Sequence, residues 1–298
     1  MRTTKRFTPD LLDRYRASGR GQGTYQEYVP WHRVSRSDPA SLGRSHLMVW
    51  RGRQLELLSD LEWETSMFVT MLPHLVDIRE QFPLALELAA HELARYDVTL
   101  SCARCPGTLD LASSLAIKHP QVHGNGRSSA WVMTTDLVVT LGAPGRAHQL
   151  LAIACKYKSD LERKRTLELL RLERDYWAVR NVPWILVTPE QYDKSVGLTL
   201  RNTFPWALGS DASARERRAA VAAAHGCANH SMTQILESLA RVVGSMDCAQ
   251  RALWQAVWQG ELPIDLRRGW RPHVSPVRMA HEDFVQLNPV AARRSACI

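Results

Sequence analysis

Residues 133–188 constrain the fold more than any other stretch of this chain. MTTDLVVTL (133–141) and LLAIACKY (150–157) are two strand-like apolar runs. A short turn through Gly142, Pro144 and Gly145 joins them, which is the pattern of an antiparallel hairpin. An amphipathic segment follows, from about Leu161 to Arg180. Its Leu161, Leu169, Leu172, Tyr176 and Val179 recur at helical spacing and form the expected buried stripe. After Asn181-Val182-Pro183 comes another buried strand, WILVT (184–188), closed by Pro189. Strand, helix, strand predicts a parallel crossover. A hairpin and a crossover that share the strand 150–157 require a mixed sheet flanked by helices, so the fold class is α/β.

Upstream, Ser59 and Glu62 stand in S-x-x-E order, a capping box, with Leu58 and Trp63 placed to staple across it. Leu61, Thr65, Phe68 and Leu72 then repeat as on a helix that Pro73 helps to end. VDIREQF (76–82) alternates as a strand, interrupted by Glu80, and 84–95 predicts a helix. Residues 101–130 read as irregular. Residues 1–50 are basic and polar, with Gly19, Gly21 and Gly23, and form either a flexible arm or a strap on the domain that follows. Composition shifts near 209. Helices are expected over 212–224, 232–243 and 248–260, followed by the strand-like pieces LPIDLRRGW and HVSPVRM. That is the order of a winged-helix domain. The expected organisation is therefore an arm (1–50), an α/β domain (51–208) and a winged-helix-like region (209–298).

The chain's 298 residues and 45% apolar content are enough for a buried core. The net charge of +8 favours polyanionic partners, nucleic acid above all. No apolar run approaches the roughly 18 residues of a membrane span, and the N-terminus lacks the apolar core of a secretory signal. The expected compartment is the cytoplasm. Six scattered cysteines include a lone C-x-x-C at Cys102 and Cys105. With His91, His119 and His123 at irregular distances, no four-ligand zinc pattern results.

Three residues carry a candidate chemistry. Glu62 sits on the first helix of the α/β region, Asp136 on a strand, and Lys156 near the end of the hairpin partner strand. Carboxylates suit a hard cation such as magnesium. The ion polarises a phosphodiester and lowers the pKa of an attacking water. A lysine orients that water and offsets developing charge. Restriction-endonuclease-like nucleases use this order. Their usual acid two residues before the lysine is Ala154 here, so the backbone carbonyl of Cys155 and the side chain of Glu173 are the substitutes within reach. Local pattern alone leaves plainer readings open. It favours Glu62 as a helix cap, Lys156 as a solvated strand end and Glu173 as a helix-surface charge, and leaves Asp136 balanced against a surface strand residue. Trp177 and Trp184 read as core. Nothing spaced as a Cys–His pair supports Cys155 as a nucleophile.

GRGQGTYQEYVPW (19–31), SLGRSH (41–46), LLSDLE (57–62), VDIREQFPL (76–84), IKHP (117–120), MTTDLVV (133–139) and RTLELLRLERDYWAVRNVPWILVT (165–188) together resemble the TnsA endonuclease family, in order from about residue 19 to about 206. The resemblance implies a restriction-endonuclease-like domain with a C-terminal winged helix, and magnesium or manganese at the site. It also implies cutting of the 5′ ends of a transposon, while an integrase-like transposase, TnsB, cuts and joins the 3′ ends and an ATP-using regulator, TnsC, takes part. Glu62 and Asp136 match the metal carboxylates, Lys156 the catalytic lysine and Glu173 a further acidic residue. Ala154 departs from the family, which commonly has Gln there. A stand-alone restriction-type nuclease and an assembly subunit with a decayed site are the alternatives.

Overall fold

A computed structural model describes residues 6–41, 43–102, 104–227 and 229–297. Residues 1–5 of the expected arm, and Leu42 of the SLGRSH block, lie outside the described residues. The chain divides into two compact units. One comprises Met1–Trp63, His74–Thr188 and Ser295–Ile298; the other comprises Glu64–Pro73 and Pro189–Arg294.

The first unit opens with helix α1 (Pro9–Ala17) and the hairpin β1 (His46–Trp50)–β2 (Arg53–Leu57). Arg51 (φ 47°) and Gly52 (φ 80°) form its two-residue turn. Both lie in the left-handed region, as a turn matching the strand twist requires. Helix α2 (Asp60–Thr70), whose residues from Glu64 onward are assigned to the second unit, precedes β3 (Leu75–Pro83). Two short pairs, β4 (Ala89–Ala90) with β5 (Arg104–Cys105) and β6 (Gln121–Gly124) with β7 (Arg127–Ala130), flank helix α3 (Thr108–Ser114). Then come β8 (Thr134–Leu141), β9 (Gln149–Cys155), a single turn α4 (Lys158–Leu161), α5 (Lys164–Ala178) and β10 (Trp184–Val187).

The central sheet runs β10-β9-β8-β3. β3 and β9 both pair antiparallel with β8, and β10 pairs parallel with β9, so the expected hairpin and crossover share β9. Leu172, Tyr176 and Trp177 of α5 pack with Phe82, Val138, Leu150 and Ala152 of the sheet. Leu12, Tyr15 and Trp31, from the first 50 residues, form a second cluster with Val122 and Val132. Arg20 binds the fully buried Asp38, tying this region down.

Several local expectations change. The segment 84–95 is not an α-helix. Leu84 N donates to Met133 O, Thr108 N to Ala85 O and Leu109 N to Leu86 O, so these backbone groups are spent on neighbouring segments and no helical ladder starts. Only one 3-10 turn, Glu92–Arg95, remains. The long helix expected from Leu161 is broken before Lys164. Residues 162–166 are Glu-Arg-Lys-Arg-Thr, with no apolar side chain to hold a turn against the sheet. The buried stripe of α5 includes Leu170 and Trp177, whereas Val179 is 46% exposed. Glu80, read as an interruption of its strand, is fully buried because Arg53 forks onto both of its carboxylate oxygens.

The second unit is helical: α6 (Lys194–Ala207), α7 (Ala214–Gly226), α8 (Met232–Val243), α9 (Met246–Trp258) and α10 (His281–Leu287). Ser213–Glu216 and Ser231–Gln234 are complete capping boxes that start α7 and α8. Helix α9 is central, with Ala249, Ala252, Leu253, Trp254, Val257 and Trp258 all buried. Gln255 satisfies itself on Ala212 N, Trp206 O and Ser210 O. The three expected helices are present in order. Among the described residues the two strand-like pieces after them meet in a single antiparallel bridge, Ile264 to Arg278. Pro263, Pro272 and Pro276 lack the N–H groups a longer ladder would use. Among the described residues no helix is long and apolar enough to cross a membrane.

Candidate active site

The S-x-x-E signal at 59–62 does start α2, but the glutamate does more than cap. Glu62 N donates to Ser59 Oγ at 3.2 Å, and Ser59 Oγ donates back to Glu62 Oε1 at 3.0 Å. Glu62 Oε2 accepts from Leu58 N (2.9 Å) and from Gln81 Nε2 (3.0 Å). The carboxylate is thereby fixed at the start of the helix, 6% exposed.

Gln81 belongs to β3 and takes φ 47° inside the strand. Its carbonyl turns out of the ladder to accept from Trp31 N, and its amide serves Glu62 while accepting from Thr134 Oγ1. Sequence reasoning missed this residue. No glycine or proline marks the irregularity, and a glutamine in a strand carries no signal of its own.

Asp136 lies in β8 and is 9% exposed. Its Oδ2 accepts from Cys155 N at 2.7 Å and from Lys156 Nζ at 2.9 Å. Lys156 Nζ also donates to Cys155 O at 2.9 Å, so one ammonium bridges the aspartate and that carbonyl. Lys156 lies one residue past β9, held because its N–H continues the parallel pairing onto Val187 O. Ala154 is fully buried with Leu170 and Leu186, and its methyl side chain offers no polar atom. Glu173, on the buried face of α5, accepts from Thr135 Oγ1 (2.8 Å) and Trp184 Nε1 (3.2 Å). Trp177 Nε1 donates to the same threonine oxygen, so the two expected core tryptophans also brace the site.

The charges interact as a group. Burial, reinforced by the negative charge of Asp136, pushes the Glu62 carboxyl up to about 7. Burial and Asp136 likewise push Glu173 up to about 7, against the opposing pull of Lys156. Burial alone disfavours the ammonium of Lys156, but Asp136 and Glu173 overcome it and hold the lysine above its ordinary range. Glu62 and Glu173 thus each feel the charges of Asp136 and Lys156, which are in direct contact.

Three carboxyls against one ammonium leave surplus negative charge that a divalent cation would relieve. The donors are carboxylate and carbonyl oxygens, the chemistry of a hard ion. Among the described residues no cluster of three or more His, Cys, Asp or Glu side chains is arranged for metal binding. Two carboxylates and a carbonyl fit magnesium, which commonly takes one or two carboxylates and completes its shell with water and phosphate oxygens. Glu62, Asp136 and the Cys155 carbonyl are the groups that would hold it.

Two comparisons with known proteins bear on this arrangement. The family model for the TnsA-like endonuclease N terminal domain matches residues 72–189, a segment containing Asp136, Lys156 and Glu173. The Escherichia coli protein named transposon Tn7 transposition protein TnsA is 32% identical over 202 residues, 67% of this chain. The matched region spans 63% of that relative's length. The central sheet, Asp136, Lys156 and Glu173 therefore sit in the segment that matches the TnsA-like endonuclease domain, and it is to the TnsA family that the chain is similar.

Proposed function

We propose that this chain is a metal-dependent DNA endonuclease subunit of a heteromeric transposase, hydrolysing the 5′-end strand at transposon ends during cut-and-paste transposition. The observation that carries the reading is the contact of Lys156 with Asp136 beside the buried, charge-coupled Glu62. It occurs in a chain similar to a protein named for transposition.

Glu62, Asp136 and the Cys155 carbonyl would hold a magnesium or manganese ion, which would supply Lewis acidity toward a phosphodiester oxygen and a bound water. The chain's own residues do the rest. Ser59, Leu58 and Gln81 hold Glu62 in one orientation, which limits reorganisation during the reaction. Asp136 and Glu173 keep Lys156 protonated, so it faces the incoming phosphate as a cation. Its side chain is 30% exposed and can reach solvent and DNA. Thr135 and Trp184 orient Glu173 beside that ammonium. The net positive charge supports binding to DNA phosphates. The helical second unit, in winged-helix order, suits contact with DNA or with the partner proteins. A TnsB-like integrase-type transposase and a TnsC-like ATP-using regulator are the partners this reading requires.

The test is cleavage of a supercoiled donor with magnesium and both partners present. Wild type is expected to cut the 5′-end strand, and Asp136→Ala to lose that cut while TnsB-dependent 3′ cutting persists. Equal 5′ cutting by both proteins would remove the assignment. Cutting by this chain without its partners would point instead to a stand-alone nuclease.

A further inference from the structure

The first unit contains a cleft of about 740 Å³ whose lining includes Arg79, an arginine with no anionic partner among the described residues. Arg79, on β3, is 1% exposed, and its Nε and Nη2 meet no hydrogen-bond acceptor among the described residues. Its guanidinium carbon lies 4.5 Å from the ring centre of Phe82 and 5.2 Å from that of Tyr96, so it faces aromatic rings and not a carboxylate. The acids around it are committed elsewhere. Asp77 accepts from Tyr25 N and Tyr96 Oη, Glu80 is forked by Arg53, and Glu92 is paired with Arg180.

A buried guanidinium without an acceptor is unfavourable, and proteins rarely leave one so. Nε and Nη2 form one edge of the guanidinium plane, the edge that grips two oxygens of a phosphate or carboxylate. Arg16 and Arg20, which also line the cleft, are neutralised by Asp13 and Asp38. Among the described residues Arg95 meets no carboxylate; it donates to the Gln22 side chain. The acid left over in the lining, Glu87, is exposed and solvent-screened. Two cationic groups without carboxylate partners suit a phosphate better than a single carboxylate. Trp31, Phe82, Leu84 and Val132 supply apolar wall for an organic body, and the volume falls in the range of small-ligand sites.

We propose that this cleft binds an organic phosphate, its oxyanion held by Arg79 with Arg95 at the mouth. The phosphate is carried either by a free nucleotide or by the 5′ terminus of a DNA strand. The site uses none of Glu62, Asp136, Lys156 or Glu173 and stands independently of the nuclease reading.

The experiment is calorimetric titration of the full chain in EDTA. The probes are a deoxynucleoside monophosphate, and a short oligonucleotide with a 5′-phosphate or with a 5′-hydroxyl. One-to-one binding of phosphate-bearing probes is expected. Arg95→Ala, a surface change, should weaken it about tenfold. Arg79→Lys, with folding checked by circular dichroism, should weaken it at least as much because the fork is lost. Lys156→Ala should leave it unchanged. Preference for the 5′-phosphorylated over the 5′-hydroxyl oligonucleotide assigns the DNA end, and tighter binding of the mononucleotide assigns the free ligand; either upholds the site. Failure of every phosphate-bearing probe to bind folded wild-type protein overturns it. So does binding that Lys156→Ala abolishes while both arginine variants retain it.

Discussion

Replacing Glu173 by glutamine is expected to stabilise the metal-free protein above neutral pH. The side chain is 5% exposed, and burial together with Asp136 raises its carboxyl from an ordinary 4.5 to about 7. A raised acid pKa means that the folded state holds a proton the unfolded state has released between those two values. Stability from this group is therefore fully present below about 4.5 and declines as pH rises to about 7, where the folded-state carboxyl itself ionises. At about 1.4 kcal/mol per tenfold change in the proton equilibrium, the full decline is about 3 kcal/mol. Glutamine keeps an acceptor oxygen for Thr135 and Trp184 and has nothing to ionise. In EDTA, urea denaturation of wild type and Glu173→Gln should agree near pH 4.5, and by pH 8 the variant should be the more stable by up to about 3 kcal/mol. Parallel pH profiles for the two proteins would refute the claim that Glu173 is held in the folded state against its preference for ionisation.

Three further outcomes are expected. Magnesium should raise the thermal midpoint of wild type, with a shift that grows as the logarithm of its concentration above the Kd, and leave that of Asp136→Ala nearly unmoved in the same differential scanning fluorimetry series. Arg53→Met strands the buried Glu80 carboxylate, and equilibrium denaturation should register a loss of about 3–5 kcal/mol. Gly52→Ala places a side chain at φ 80° in the β1–β2 turn and should cost about 1 kcal/mol by the same measurement, although space for the methyl group is present.

The sheet was legible because its apolar runs, turns and amphipathic helix are local patterns. β8, β9 and β10 begin and end within about two residues of the runs that announce them. The S-x-x-E cap located the start of α2 for the same reason. The failures share a different cause. The segment 84–95 has helical composition, but Met133, Thr108 and Leu109 claim its backbone groups from other parts of the chain. Glu80 looks surface-bound until Arg53, 27 positions earlier, is seen beside it. At the site, the residue types and their order pointed to Glu62, Asp136, Lys156 and Glu173. Gln81, Thr135 and Trp184 came only with coordinates, because glutamine, threonine and tryptophan are common in strands and their polar atoms acquire partners through register.

Glu62 serves the helix and the acidic cluster with one carboxylate. Its bonds to Leu58 and Ser59 begin α2, while its charge is felt beside Asp136. Glutamine can fill the same capping position, as Gln234 does at the start of α8. A change of Glu62 to glutamine would therefore keep the entry into the helix while removing a carboxylate from the cluster. A soundly folded relative is on that account no guarantee of an intact acidic cluster.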